Sequence, residues 1–115
     1  YRELAPILVE EKETNRLFRL VKQYPELLKN YGKFIYNRYP EETTELFKAE
    51  LLLLQFTAAD RIKYKQTGDY IFKYSTYGDK ALALKLCEEW RQKNIRRPAL
   101  QEEVNNVITK IYNSK

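Results

Sequence analysis

Histidine is absent from these 115 residues, methionine is absent too, and cysteine occurs once, glycine three times and proline four times. Each shortage removes a class of chemistry. With no histidine and only Cys87, the chain holds no Cys/His zinc cage. It also holds no Ser-His-Asp or Cys-His catalytic pair. A lone thiol forms no internal disulfide, so a reducing cytoplasm is expected rather than a secreted framework. The three glycines lie far apart, which leaves no Gly-rich phosphate loop. The strongest apolar run, Leu51 to Phe56, falls far short of the roughly 20 residues a membrane span needs. No signal-peptide pattern opens the chain. Its first residue is Tyr1, so a piece of a larger protein, or a processed product, is expected.

Scarce turn residues and long uninterrupted patterns favour helices over a sandwich or barrel. Leu4, Ile7 and Leu8 suit a first helix, with Pro6 in its first turn. Leu17, Phe18, Leu20 and Val21 suit a second, with Thr14 or Asn15 as its N-cap. Two Tyr-Pro-Glu triplets follow, at 24–26 and 39–41. Proline at a first helical position loses nothing by lacking an N–H, and the glutamate suits the positive helix end. One helix is therefore expected from Pro25, with Leu27, Leu28, Tyr31, Phe34 and Ile35 facing inward and Gly32 inside it. Another is expected from Pro40. Its second half is apolar almost all round, which places it at the centre of the domain.

A helix from about Asp60 to Tyr77 carries Tyr64, Thr67, Gly68, Ile71 and Tyr74 on one stripe. The small residues in the middle invite a closely crossing partner. Gly78 reads as a stop and Asp79 as the next cap. Ala83, Leu86, Cys87 and Trp90, flanked by Leu82, share a face of the sixth helix. Leu100, Val104, Val107, Ile108 and Ile111 share a face of the seventh, which starts at Pro98. The expectation is one all-α domain of about seven helices. Helix starts recur 38 to 39 residues apart (Asp60 to Pro98 and Pro40 to Asp79), which suggests stacked antiparallel hairpins in a tetratricopeptide-like, right-handed array.

Net charge is +5, but it is not uniform. Residues 40–59 carry four acids against one base, and every other stretch is net positive. No block of like charge forms a tail.

Tyr39-Pro40-Glu41, Arg61-Ile62-Lys63-Tyr64 and above all Arg96-Arg97-Pro98-Ala99-Leu100 resemble the all-helical region of bacterial SWIM zinc-finger proteins. The resemblance spans about Pro25 to Val104. It implies an accessory helical domain in a larger bacterial protein. The zinc-binding Cys-x-Cys and Cys-x-His elements are absent from this chain, and the resemblance implies that they lie upstream. SWIM elements are associated with nucleic-acid and protein binding, and no established activity belongs to the helical region itself.

Arg96 and Arg97 pose the sharpest local question, because a helix start prefers carboxylates to cations. Glu88, Glu89, Glu102 and Glu103 are near in sequence and are expected to neutralise the pair. The other reading is an anion site, with guanidinium groups beside free helix-start N–H groups. Arg61, Lys93, Arg96 and Arg97 are the candidate anion or partner contacts. The ten tyrosines and five phenylalanines, interleaved with Lys and Arg in RIKYKQTGDYIFKY, can either stack on bases or pack helices, and helical spacing favours packing. Cys87, on an apolar face, is expected to be buried and inert. The adjacent glutamates, Glu10-Glu11, Glu88-Glu89 and Glu102-Glu103, point about 100° apart on a helix and form no acid/base couple. No catalytic residue, metal or cofactor is expected. The function expected is a non-catalytic interaction domain with a protein partner. A nucleic-acid-binding accessory domain is the alternative.

Overall fold

The computed structural model describes residues 3–57 and 59–114. Among the described residues there are seven α-helices, one 3-10 turn and no strand. The helices are α1 (Leu4–Glu10), α2 (Thr14–Gln23), α3 (Leu28–Ile35), α4 (Pro40–Thr57), α5 (Arg61–Tyr77), α6 (Lys80–Lys93) and α7 (Pro98–Asn113). Among these residues, no helix is long and apolar enough to cross a membrane. The chain forms two compact units, residues 1–50 and 51–115, and the division falls inside α4.

In the first unit, α2 packs against α1, α3 and the 3-10 turn. Its core includes Ala5, Leu8, Leu17, Leu20, Val21, Leu28, Ile35 and Phe47. Several expectations need correction here. Ala5 and Leu8, not Leu4 and Ile7, face inward on α1; Ile7 is 49% exposed. A seven-residue helix has room for one buried seam, and α2 covers only that seam. Thr14 and Asn15 do not cap α2; Thr14 is its first helical residue, and Asn15 accepts a hydrogen bond from the Tyr39 hydroxyl.

The turn before α2 is a Schellman motif. Lys12 N–H donates to the Val9 carbonyl (3.1 Å) and Glu13 N–H to the Leu8 carbonyl (2.9 Å). Lys12 supplies the left-handed residue, at φ 58°, where glycine is usual. The single helix expected from Pro25 is instead a 3-10 turn, Pro25–Leu27, followed by α3. Phe34, expected inside, is 43% exposed.

The helix expected to be central is not buried all round. On α4, Thr43, Phe47 and Leu51 form a buried seam, at 0%, 0% and 2% exposure. Leu52 and Leu53 are exposed and Leu54 is half-buried. The residues sit at i, i+4 and i+8, so one stripe goes inward and the rest of the circumference does not.

The second unit is a three-helix packing. α5 packs most extensively against α7, and α6 packs against both. The stripe expected on α5 goes inward with Tyr64, Thr67, Gly68, Ile71 and Tyr74, and that on α7 with Leu100, Val104, Val107 and Ile111, while Ile108 is only half-buried. The closely crossing partner expected at Gly68 is α7, because a Cβ there would stand 2.6 Å from Val107 Cγ2. Asp60 caps α5 by accepting from Lys63 N–H (2.9 Å), and Asp79 caps α6 through Leu82 N–H (3.2 Å). Gly78 ends α5, yet its φ of −109° needs no glycine. A Cβ there would stand 2.6 Å from the Tyr74 ring, so space explains the glycine.

Candidate functional site

Helices α5 and α7 begin, and α6 ends, at one end of the second unit. Four interactions tie this end together. Gln101 on α7 donates to the last carbonyls of α6 and its exit, Arg91 O and Asn94 O, both at 2.9 Å. Asn94 donates back to Trp90 O (2.9 Å). The Tyr64 and Trp90 rings meet edge to face, with centroids 6.5 Å apart. These contacts satisfy carbonyls that a helix C-terminus leaves orphaned.

The four candidate residues gather on this frame. Arg61 opens α5, Lys93 closes α6, Arg96 lies in the connection and Arg97 is the N-cap of α7; all four are exposed. Two of the four acids expected to neutralise the arginine pair are engaged elsewhere, and Glu89 and Glu103 make no ion pair with it among the described residues. Glu102 pairs with Arg61 at 3.4 Å, and Glu88 pairs with Arg91. Arg91 also reaches Asn105 Oδ1 at 3.3 Å. The Arg97 guanidinium donates to a neutral group, the Tyr64 hydroxyl, at 3.4 Å and makes no ion pair among the described residues. Arg96 makes no ion pair among the described residues. Geometry gives the reason. One turn within α6 brings Arg91 to Glu88, and the α5–α7 packing brings Arg61 to Glu102, while the connection carries Arg96 outward. Arg97 also gives α7 no side-chain cap, so that helix starts with free N–H groups beside two cations.

Ile95 stands between Lys93 and Arg96 and is 70% exposed. This apolar knob inside a basic rim was not singled out by sequence reasoning. Its signal was an isoleucine in a four-residue connection with no helix period to bury it.

A second missed feature lies on α4. Leu52, Leu53 and Phe56 are 64%, 62% and 87% exposed. They fall on one side of the helix, since residues three and four apart share a face. They point away from the Thr43–Phe47–Leu51 seam. The signal was surplus: one buried seam uses an apolar residue every three or four positions, and Leu51 to Phe56 holds more than that.

The third feature belongs to the first unit. Phe18 and Leu46 floor a groove of about 440 Å³ whose other lining includes Lys22, Glu41, Glu42 and Glu45. Phe18 is fixed by stacking on Tyr39, with ring centroids 4.1 Å apart. Lys22 Nζ lies over the Phe18 ring, 5.5 Å from its centroid, a cation–π contact. Glu41 and Glu42 occupy the first turn of α4, where the helix dipole stabilises them. Among the described residues, Glu45 pairs with Lys48 alone, at 3.8 Å and in solvent. Elsewhere in this unit, burial raises the Glu50 carboxyl above its usual range, and repulsion from Glu26 adds to it.

The aromatic residues of RIKYKQTGDYIFKY go mainly to packing, since Tyr64, Tyr70 and Tyr74 are buried. Cys87 is fully buried, and burial, with the charge of Glu88, pushes its thiol up to about 12. Such a thiol stays protonated and unreactive at neutral pH. Among the described residues, no group of three His, Cys, Asp or Glu side chains is placed to hold a metal. No protein-family model, curated protein or solved structure matches the chain.

Proposed function

We propose that this chain is a non-catalytic interaction module that recognises a protein partner. The observation that carries this reading is the outward face of α4, where Leu52, Leu53 and Phe56 lie at 64%, 62% and 87% exposure. Scattered exposed hydrophobics are ordinary, but large ones grouped on one helix face favour a covering partner. Burial stabilises at roughly 25 cal/mol per Å², so covering three such side chains yields several kcal/mol. The partner best suited is a helix presenting its own apolar stripe at i, i+3 and i+4 spacing. In this reading the helices form hairpins stacked in the tetratricopeptide manner, and recognition is by shape. Membership in the helical region of SWIM zinc-finger proteins fits such a role and rests on Arg96 to Leu100.

The test places a photo-crosslinking amino acid at position 53 or 56 and, as a control, at Arg19 in the full-length protein in cells. A discrete crosslinked partner from 53 and 56, absent from the control, is expected. L52S/F56S should abolish it while thermal stability changes little, because neither side chain is buried. Equal crosslinking from all three positions, or none, sinks the proposal.

Nucleic acid is the second reading, favoured by the unneutralised Lys93, Arg96 and Arg97. The continuous basic stripe it needs is interrupted by Glu102 at Arg61 and by Glu88 at Arg91. Binding to single-stranded or duplex oligonucleotides with a steep salt slope, lost in R96E/R97E, would favour it over the protein-partner reading.

A further inference from the structure

We propose that the groove floored by Phe18 and Leu46 receives the Lys93–Arg97 connection of a second copy of this chain. The two surfaces complement each other in shape and in charge. The groove, of about 440 Å³, is lined by three carboxylates, Glu41, Glu42 and Glu45. That volume lies within the roughly 300–1,000 Å³ range of binding clefts. The connection is a knob, Ile95 at 70% exposure, with Lys93 before it and Arg96 and Arg97 after it.

Each surface carries charge that its own surroundings leave uncompensated. Among the described residues, Lys22 is the one base lining the groove, and it sits over the Phe18 ring rather than on a carboxylate. Glu41 and Glu42 make no ion pair among the described residues. At the connection, Glu88 and Glu102 are taken by Arg91 and Arg61. A docked groove resolves all of this together. Ile95 leaves water for Phe18 and Leu46. Carboxylates of one copy reach the arginines of the other, and lie near the uncapped start of α7, whose free N–H groups favour anions. The misplaced arginines are then steering groups for an acidic surface rather than parts of an internal lock. Residues 40–59, the one net-negative stretch of a basic chain, supply that surface. The contact joins unlike patches, so it either closes reciprocally as a dimer or propagates along a chain of copies.

Sedimentation velocity over a concentration series, at low and high salt, tests this. The wild type is expected to self-associate with rising concentration, and less so at high salt, where exposed charges are screened. E41K/E42K alone and R96E/R97E alone are each expected to remain monomeric. An equimolar mixture of the two is expected to associate again, because each supplies the charge the other has reversed. R96E/R97E places acids where a helix start favours them, so its loss of association will not reflect unfolding; circular dichroism checks both variants. F56S is expected to associate as the wild type does, which keeps this contact separate from the α4 face. A monomeric wild type at low salt and high concentration overturns the proposal, as does failure of the mixture to associate or loss of association in F56S. A monomeric wild type that binds an Arg-rich peptide in the groove also overturns it, and gives the groove to a separate basic partner.

Discussion

Two residues show how local geometry and residue type can disagree. Lys12 holds a left-handed conformation, φ 58°, that costs a side-chain-bearing residue about 1–2 kcal/mol. Glycine there would remove that strain and lose some of the gain to unfolded-chain entropy. K12G is expected to stabilise the fold by about 0.5–1 kcal/mol in urea denaturation. Gly68 is the opposite case. Alanine is the better helix former, yet its Cβ would stand 2.6 Å from Val107 Cγ2, and valine is stiff at χ1. G68A is expected to destabilise by about 1–2 kcal/mol, the overpacking cost less the helix-propensity gain. Adding V107A should recover part of that loss. A G68A variant as stable as the wild type would mean that α5 and α7 do not cross closely at this point. Gly68 was half legible in the sequence, and Lys12 was not legible at all. The stripe through Gly68 announced a close crossing, but not that α7 makes it. Nothing in EEKET announced a left-handed lysine, because the turn obeys the backbone hydrogen bonds of the Schellman motif rather than a residue signal.

Among the elements, α4 and the start of α7 matter most. Periodicity identified both as helices, and proline opens each. It did not reveal how much of α4 is covered. A run that is apolar all round satisfies a buried helix and equally a helix with one buried and one outward apolar face; only neighbours distinguish them. The start of α7 was anomalous in sequence and stays so in the fold. Arg97 has the extended N-cap backbone, φ −112° and ψ 92°, but offers no side-chain cap. R97D would supply both an acceptor for the free N–H groups and a charge of the favoured sign. It is expected to stabilise the protein by about 1–2 kcal/mol, cap and dipole together, offset slightly by loss of the 3.4 Å contact to Tyr64. Denaturant midpoints of R97D and R97A give the measurement, and equal midpoints would show that this helix start is already satisfied.

At the level of the whole molecule, the division inside α4 makes residues 51–115 a compact unit with its own core. A domain of about 60 residues is marginal but able to fold alone. Trp90, the single tryptophan, is buried at 3% exposure in this unit, so its fluorescence reports on these helices specifically. Residues 51–115 expressed alone are expected to be helical, to unfold cooperatively and to keep a blue-shifted Trp90 emission. Solvent-exposed emission from that segment would show that its core depends on residues 1–50.

The amino-acid sequence by itself determined that this protein is helical. Helix period, proline-led starts and aspartate caps are written in consecutive residues, and their physics is local. It likewise determined the chemistry that is missing, since no fold can supply histidine or a second thiol. Tertiary structure decided which acids meet which arginines, that Leu52, Leu53 and Phe56 face water, and that Ile95 stands inside a basic rim. Those outcomes depend on which helices cross and where, and crossing is a long-range property: a salt bridge from Arg61 to Glu102 joins residues 41 positions apart, beyond the reach of any local pattern.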